Sequence, residues 1–291
     1  MLKLSKLMNF FHYVSAGLFA LLISGCDIVE HQVLLEPKKL ILSKKSIIIS
    51  SEKQATCNNF MRYAKENQAD RYLCRDGYVV SYNDSTKQPN WVAYRLTGLS
   101  VSHHQRREDQ FQVDLSIPKQ YRAKLTDYKK SGYDRGHLAP YASVNFSKES
   151  ATQSFLLSNI SPQQAGLNRH GWSTLEKYER FWAKAKQELY IYTGVIYKNK
   201  KPGTFIGESK IAVPDYFYKI IYAPITKEVI SFVMPNRKVE KKAVAKYRTS
   251  IKELEQRTGF YFFSHIPKQD RDKFIIGISP MWKTAYTKEK D

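Results

Sequence analysis

Residues 158–180 read SNISPQQAGLNRHGWSTLEKYER, and the change of rhythm inside this stretch organises the chain around it. From Asn168 onward, Trp172, Leu175, Tyr178 and Trp182 recur three and four residues apart, which predicts a helix over Asn168–Glu188 with one apolar face. Just upstream, Ser154–Ile160 is a short apolar run that reads as a buried strand. Working outward, Tyr78–Tyr82 and Trp91–Leu96 are rich in β-branched and aromatic residues and predict strands. Between them NDSTKQPN, residues 83–90, supplies turn chemistry, so the pair reads as a hairpin. Leu189–Val195, Tyr216–Ala223 and Val229–Met234 predict further strands, and a second helix is predicted over Val239–Arg257, stopped by Thr258 and Gly259. A helix is also predicted between Cys57 and Cys74. Strands and helices do not strictly alternate, so the expected class is α+β, with a mainly antiparallel central sheet flanked by helices. There is no internal repeat.

Within the first helix Asn168 stands near the start and Glu176 eight residues on. In an α-helix that spacing leaves the two side chains about 80° apart around the axis and about 12 Å apart along it. A hard cation accepts a neutral amide oxygen and keeps most of its waters, which a carboxylate two turns away can hold. Equally, Asn168 can be a helix cap and Glu176 a solvated face residue. Upstream lies SGYDRGHLAP, residues 131–140, read as a loop. Hydrolysis of a phosphodiester near neutral pH needs a base to take a proton from water, and the unperturbed pKa of a histidine such as His137 suits that task. Arg135 can neutralise phosphate charge, and Gly136 lets the backbone approach a ligand. PNWVAYRLT, residues 89–97, places Arg95 on a strand between aromatic residues.

Composition narrows the field. With 42% hydrophobic and 13% aromatic residues in 291, a packed core is affordable and disorder of the whole chain is excluded. Lys and Arg number 47 against 27 Asp and Glu, a formal net charge of +20 that favours a polyanionic partner: nucleic acid or an anionic membrane surface.

The ordered set DRGH, SNISPQ, LNRHGW and LEKYER resembles the DNA/RNA non-specific endonuclease family, the ββα-metal or His-Me finger nucleases, over about Tyr72 to Trp282. The resemblance implies a ββα-metal motif and a sequence-non-specific endonuclease that hydrolyses DNA and RNA to 5′-phosphate products. It implies His137 as general base, Asn168 as the direct ligand of Mg²⁺ (with Mn²⁺ as a substitute), and Glu176 as orienter of metal-bound waters. Arg135, Arg180 and Arg95 match phosphate-binding positions, Asn159 a position supporting the site, and Asp134 a brace for its loop. Arg169 and His170 depart from the family, where Gln and Gly are common after the ligand. The alternatives are a nucleic-acid-binding lipoprotein without turnover and a phosphodiesterase for another envelope polyanion.

The N-terminus predicts export. Lys3 and Lys6 precede an apolar stretch from Phe10 to Ile23, the length of a signal-peptide core, and LISGC ending at Cys26 resembles a bacterial lipobox. The expected organisation is a signal peptide over 1–25, a lipid-anchored tether and extension over 26–70, and the nuclease domain over 71–291. The mature protein is then a lipoprotein, membrane-anchored through lipidated Cys26 and facing the periplasm or cell exterior. Asp27 leans it toward the inner membrane. Removing residues 1–25 takes two lysines and no acid from the +20, leaving +18. Cys57 and Cys74 are then an even pair, expected to form a disulfide. His103, His104, Arg106 and Arg107 read as an exposed charged loop.

Overall fold

The computed structural model describes residue 57 and residues 59–63, 69–103, 105–106 and 110–283. The expected signal peptide, Cys26, Asp27 and most of the tether lie outside the described residues, as do His104 and Arg107. Among the described residues no helix is long and apolar enough to cross a membrane.

Seven strands form the central sheet: β1 (Arg71–Cys74), β2 (Val79–Asn83), β3 (Gln88–Thr97), β6 (Glu188–Ile196), β9 (Tyr216–Ala223), β10 (Glu228–Pro235) and β11 (Arg248–Thr249), in that spatial order. Every neighbouring pair is antiparallel. Because successive side chains point to opposite faces, β3 sends Val92, Tyr94 and Leu96 into one core and Trp91 and Ala93 into another. The first core is covered by α3 (Ser173–Lys186), with Trp172, Leu175 and Trp182 fully buried. In such a setting truncating Trp182 to alanine costs about 3–5 kcal/mol. The second is covered by α4 (Ile251–Thr258), α5 (Lys268–Ile275) and the segment around Phe60 and Met61. The Cys57–Cys74 disulfide, with Cα atoms 5.2 Å apart, ties that segment to β1. Closing a loop of that length stabilises the fold by about 3 kcal/mol in the chain-entropy model.

Two small two-stranded antiparallel sheets stand apart from the central one: β4 (Asp134–His137) with β5 (Ile160–Gln163), and β7 (Phe205–Ile206) with β8 (Ile211–Ala212). Between β4 and β5 lie α1 (Tyr141–Val144) and α2 (Lys148–Gln153).

The predicted hairpin of Tyr78–Tyr82 with Trp91–Leu96 forms as β2 and β3, with a register shift at Ser81/Tyr82. Four expectations are corrected. DRGH is a strand rather than a loop, because its backbone pairs with β5. Ser154–Ile160 is not a strand: a 3₁₀ turn at Leu157–Asn159 precedes β5, and the apolar run is buried without being extended. The stretch between the cysteines ends as strand β1, paired with β2. The long helix over Val239–Arg257 divides into a 3₁₀ segment at Lys241–Tyr247, β11 and α4. The division falls where Ser250 Oγ accepts the Glu253 amide at 3.1 Å and starts a fresh helix. Its expected stop at Gly259 is present, with φ +72°.

Candidate active site

The site is a strand–strand–helix unit made by β4, β5 and α3. Ahead of α3, Leu167–Trp172 forms a π-helical turn, so Asn168 sits on a wider turn than the α-helix from which its angle to Glu176 was reckoned. Burial fixes the helix beyond it: Leu175, Glu179, Trp182 and Ala183 share the inward stripe, while Lys177 and Lys184 face solvent.

Asn159 is wholly buried and staples the chain after His137. Its Oδ1 accepts the Ala139 amide, and its Nδ2 donates to the Ala139 and Ser154 carbonyls, each at 2.9 Å. His137 itself pairs with Ile160 and is half-buried, its ring between Phe111 and Phe155 at centroid distances of 5.3 and 5.2 Å. Arg135, two residues earlier on the same strand face, is exposed with its guanidinium 4.5 Å from the Phe111 ring.

Asp134 opens the strand and faces the π-turn. Its Oδ2 accepts from Asn168 Nδ2 and from Arg169 Nε, both at 2.9 Å, and its Oδ1 accepts from Arg169 Nη2 at 2.7 Å. Burial alone would raise this carboxyl's pKa, but the hydrogen bonds from Arg169 and Asn168 and the charge of Arg169 outweigh it and hold it below its ordinary value. An ionised carboxylate only accepts, so it selects the NH₂ side of the Asn168 amide. The amide oxygen is left as the acceptor, and among the described residues nothing donates to it.

No three His, Cys, Asp or Glu side chains gather as a metal cage among the described residues. A site resting on one amide oxygen and water does not need one, so the donor set at Asn168 fits a hard cation such as Mg²⁺. Glu176 lies half-buried two turns along the helical unit. Arg180 Nη1 donates to Ser143 Oγ at 3.3 Å, and Ser143 Oγ donates to Glu179 at 2.7 Å. Glu179 in turn takes Lys219 Nζ at 2.6 Å and the Tyr94 hydroxyl at 3.0 Å. Burial, and next the Glu179 charge, push the Tyr94 phenol well above its usual pKa, keeping it a donor.

Asp134, Arg135, His137, Asn159, Asn168, Glu176 and Arg180 therefore all stand on one strand–strand–helix unit. Arg95 does not join them. Strand alternation points it to the opposite face of the sheet, with Trp91 and Ala93, where it pairs with Glu188 at 2.5 Å.

Residues 58–269 match the family described as DNA/RNA non-specific endonuclease. The chain belongs to this family. The nuclease is 34% identical to a nuclease of Syncephalastrum racemosum over 224 residues, 69% of each chain. It is 32% identical to the mitochondrial endonuclease G of Homo sapiens over 205 residues, 66% of this chain and 69% of that one. Among solved structures, a chain from the EndoG/EndoGI complex aligns with TM-score 0.68 and 30% identity, covering 73% of the nuclease and 93% of that chain. The nuclease is thus a nucleic-acid hydrolase, and its match begins at residue 58, inside the disulfide loop rather than after it.

Several supporting residues escape sequence reading. Phe111 and Phe155 frame His137, and Ser143, Glu179 and Lys219 back Arg180, across separations that no local pattern reveals. The aspartate clamp on Arg169 had a visible signal only in the arginine that departs from the family's usual Gln.

Proposed function

We propose that the nuclease cuts DNA and RNA without sequence preference in a Mg²⁺-dependent reaction that leaves 5′-phosphates. The observation that carries this reading is the fixed amide of Asn168, turned by the Asp134 carboxylate so that its oxygen is the open acceptor. His137 lies on the same strand as Asp134, three residues on. His137 takes the proton from the attacking water. Arg135 and Arg180 face the phosphate and offset its charge, Arg180 being held through Ser143. Asn168 Oδ1 would hold Mg²⁺, and Glu176 would accept hydrogen bonds from the waters of the ion. When bound, Mg²⁺ would supply positive charge that offsets the negative charge developing at the phosphate. Arg95, on the other face of the sheet, has no part in this reading. The sequence features of residues 1–26 support an exported, lipid-anchored enzyme in the bacterial envelope.

The test is plasmid cleavage with graded Mg²⁺, followed by end-group analysis. The expected ends accept a 5′ label only after phosphatase treatment; 5′-hydroxyl ends would overturn the product assignment. Asn168→Ala is expected to lose cleavage while retaining nucleic-acid binding, since the cation does chemistry and Lys and Arg supply affinity. Equal loss of binding would contradict that division.

A further inference from the structure

The ten residues Arg237–Lys246 belong to none of the motifs above, yet they carry Arg237, Lys238, Lys241, Lys242 and Lys246 against a single acid, Glu240. All six of these side chains are exposed. Lys238 and Glu240 pair at 2.8 Å; among the described residues no carboxylate pairs with Arg237, Lys241, Lys242 or Lys246. On the opposite face of the sheet, by contrast, three exposed cations are neutralised within their own helices: Lys268 with Asp272, Lys273 with Asp270 and Arg257 with Glu253.

The segment is docked on the turn that presents Asn168. Asn236 receives the Gln164 amide at 2.8 Å and donates to the Pro162 carbonyl at 3.1 Å. Val239 donates to the Gly166 carbonyl at 3.3 Å, and Gly171 donates to the Val239 carbonyl at 2.9 Å. The two glycines that bracket Asn168 make this approach possible. A Cβ at Gly166 would come within 2.7 Å of Lys238, and one at Gly171 within 2.5 Å of Val239. Val239 and Val244 are buried in the core that holds Trp172, so the cations stand on an anchored backbone.

We propose that Arg237–Lys246 is the track for the sugar–phosphate backbone of the nucleic-acid strand flanking the scissile bond, an inference that rests on the nuclease reading above. Asp134 holds one flank of the π-turn and this segment holds the other. A strand leaving the site crosses one helix, about 10–12 Å wide, and meets unpaired cations that read charge and no sequence. An all-round basic surface would give no preference for this path.

The experiment measures binding of a labelled single strand of about 20 nucleotides to the full chain carrying His137→Ala, so that no turnover intervenes. Lys241→Glu/Lys242→Glu is compared with Lys184→Glu/Lys252→Glu, which makes the same charge change away from the turn. The track predicts a dissociation constant raised about 10- to 100-fold for the first pair, with the salt slope reduced by about 1.4. The second pair is expected to stay within about threefold. Equal weakening by both pairs, or none by the first, overturns the proposal. Lys241→Gln/Lys242→Gln repeats the comparison with half the charge change should the reversal disturb folding. Failure of the wild-type chain to cleave would instead defeat the catalytic reading, which the binding contrast does not measure.

Discussion

Two carboxylate–cation contacts, one within the strand–strand–helix unit and one between it and the central sheet, sit in opposite environments. Lys219 meets Glu179 at 2.6 Å with both side chains fully buried. Arg169 meets Asp134 at 2.7 Å with the side chains 67% and 19% exposed. The buried pair is completed by Tyr94 and Ser143, and Lys219 Nζ stands 5.1 Å from the Trp172 ring centroid. Removing one partner strands a charge in the core. The exposed pair is screened by water and stabilises the fold little, but its Asp134 carboxylate also sets which way the Asn168 amide faces. Burial thus turns one contact into scaffold and leaves the other free to orient a site.

The largest effect is expected at Lys219. Lys219→Met is expected to lower the free energy of unfolding by about 3–5 kcal/mol, measured in urea, because Glu179 stays behind in the core. Lys219→Met/Glu179→Leu should recover most of that loss; a double variant as unstable as the single one would show that the lost charge partner was not the cause. At the exposed contact the pattern reverses. Asp134→Asn is expected to change stability by under about 1 kcal/mol yet to slow cleavage by about 10- to 100-fold, since an amide at 134 no longer selects the NH₂ side of Asn168. Unaltered cleavage would remove Asp134 from the site. Arg169→Gln, which keeps Asp134, should slow cleavage by no more than about fivefold. Arg95→Ala is expected to leave cleavage within about twofold and stability within about 0.5 kcal/mol. A large loss there would mean that the strand alternation of β3 is misread.

The sheet's long strands and α3 could be read from the sequence because each is a long segment with one strong period, as in Trp172, Leu175 and Trp182. The candidate ligand, base and arginines could be read because their types and order match a family. What escaped was set by tertiary pairing. DRGH has no alternation of its own and becomes a strand only against Ile160–Gln163. The Val239–Arg257 run looked continuous because its helical propensity hides the cap at Ser250, although Ser250 and Glu253 carry the spacing of a capping box. Arg95 was placed by its motif alone; its parity with Trp91 and Ala93, already present in the sequence, sends it to the other face. The Glu179–Lys219 pair joins residues 40 apart in sequence and left no local trace.

The central claim is a base at His137 working with a cation at Asn168, and plasmid cleavage by the wild type and His137→Ala, each with Mg²⁺ and with EDTA, tests it most directly. The expected result is cleavage by the wild type that EDTA abolishes, and a rate at least about 100-fold lower in His137→Ala with folding intact. Cleavage that survives EDTA, or that is undiminished in His137→Ala, would contradict it.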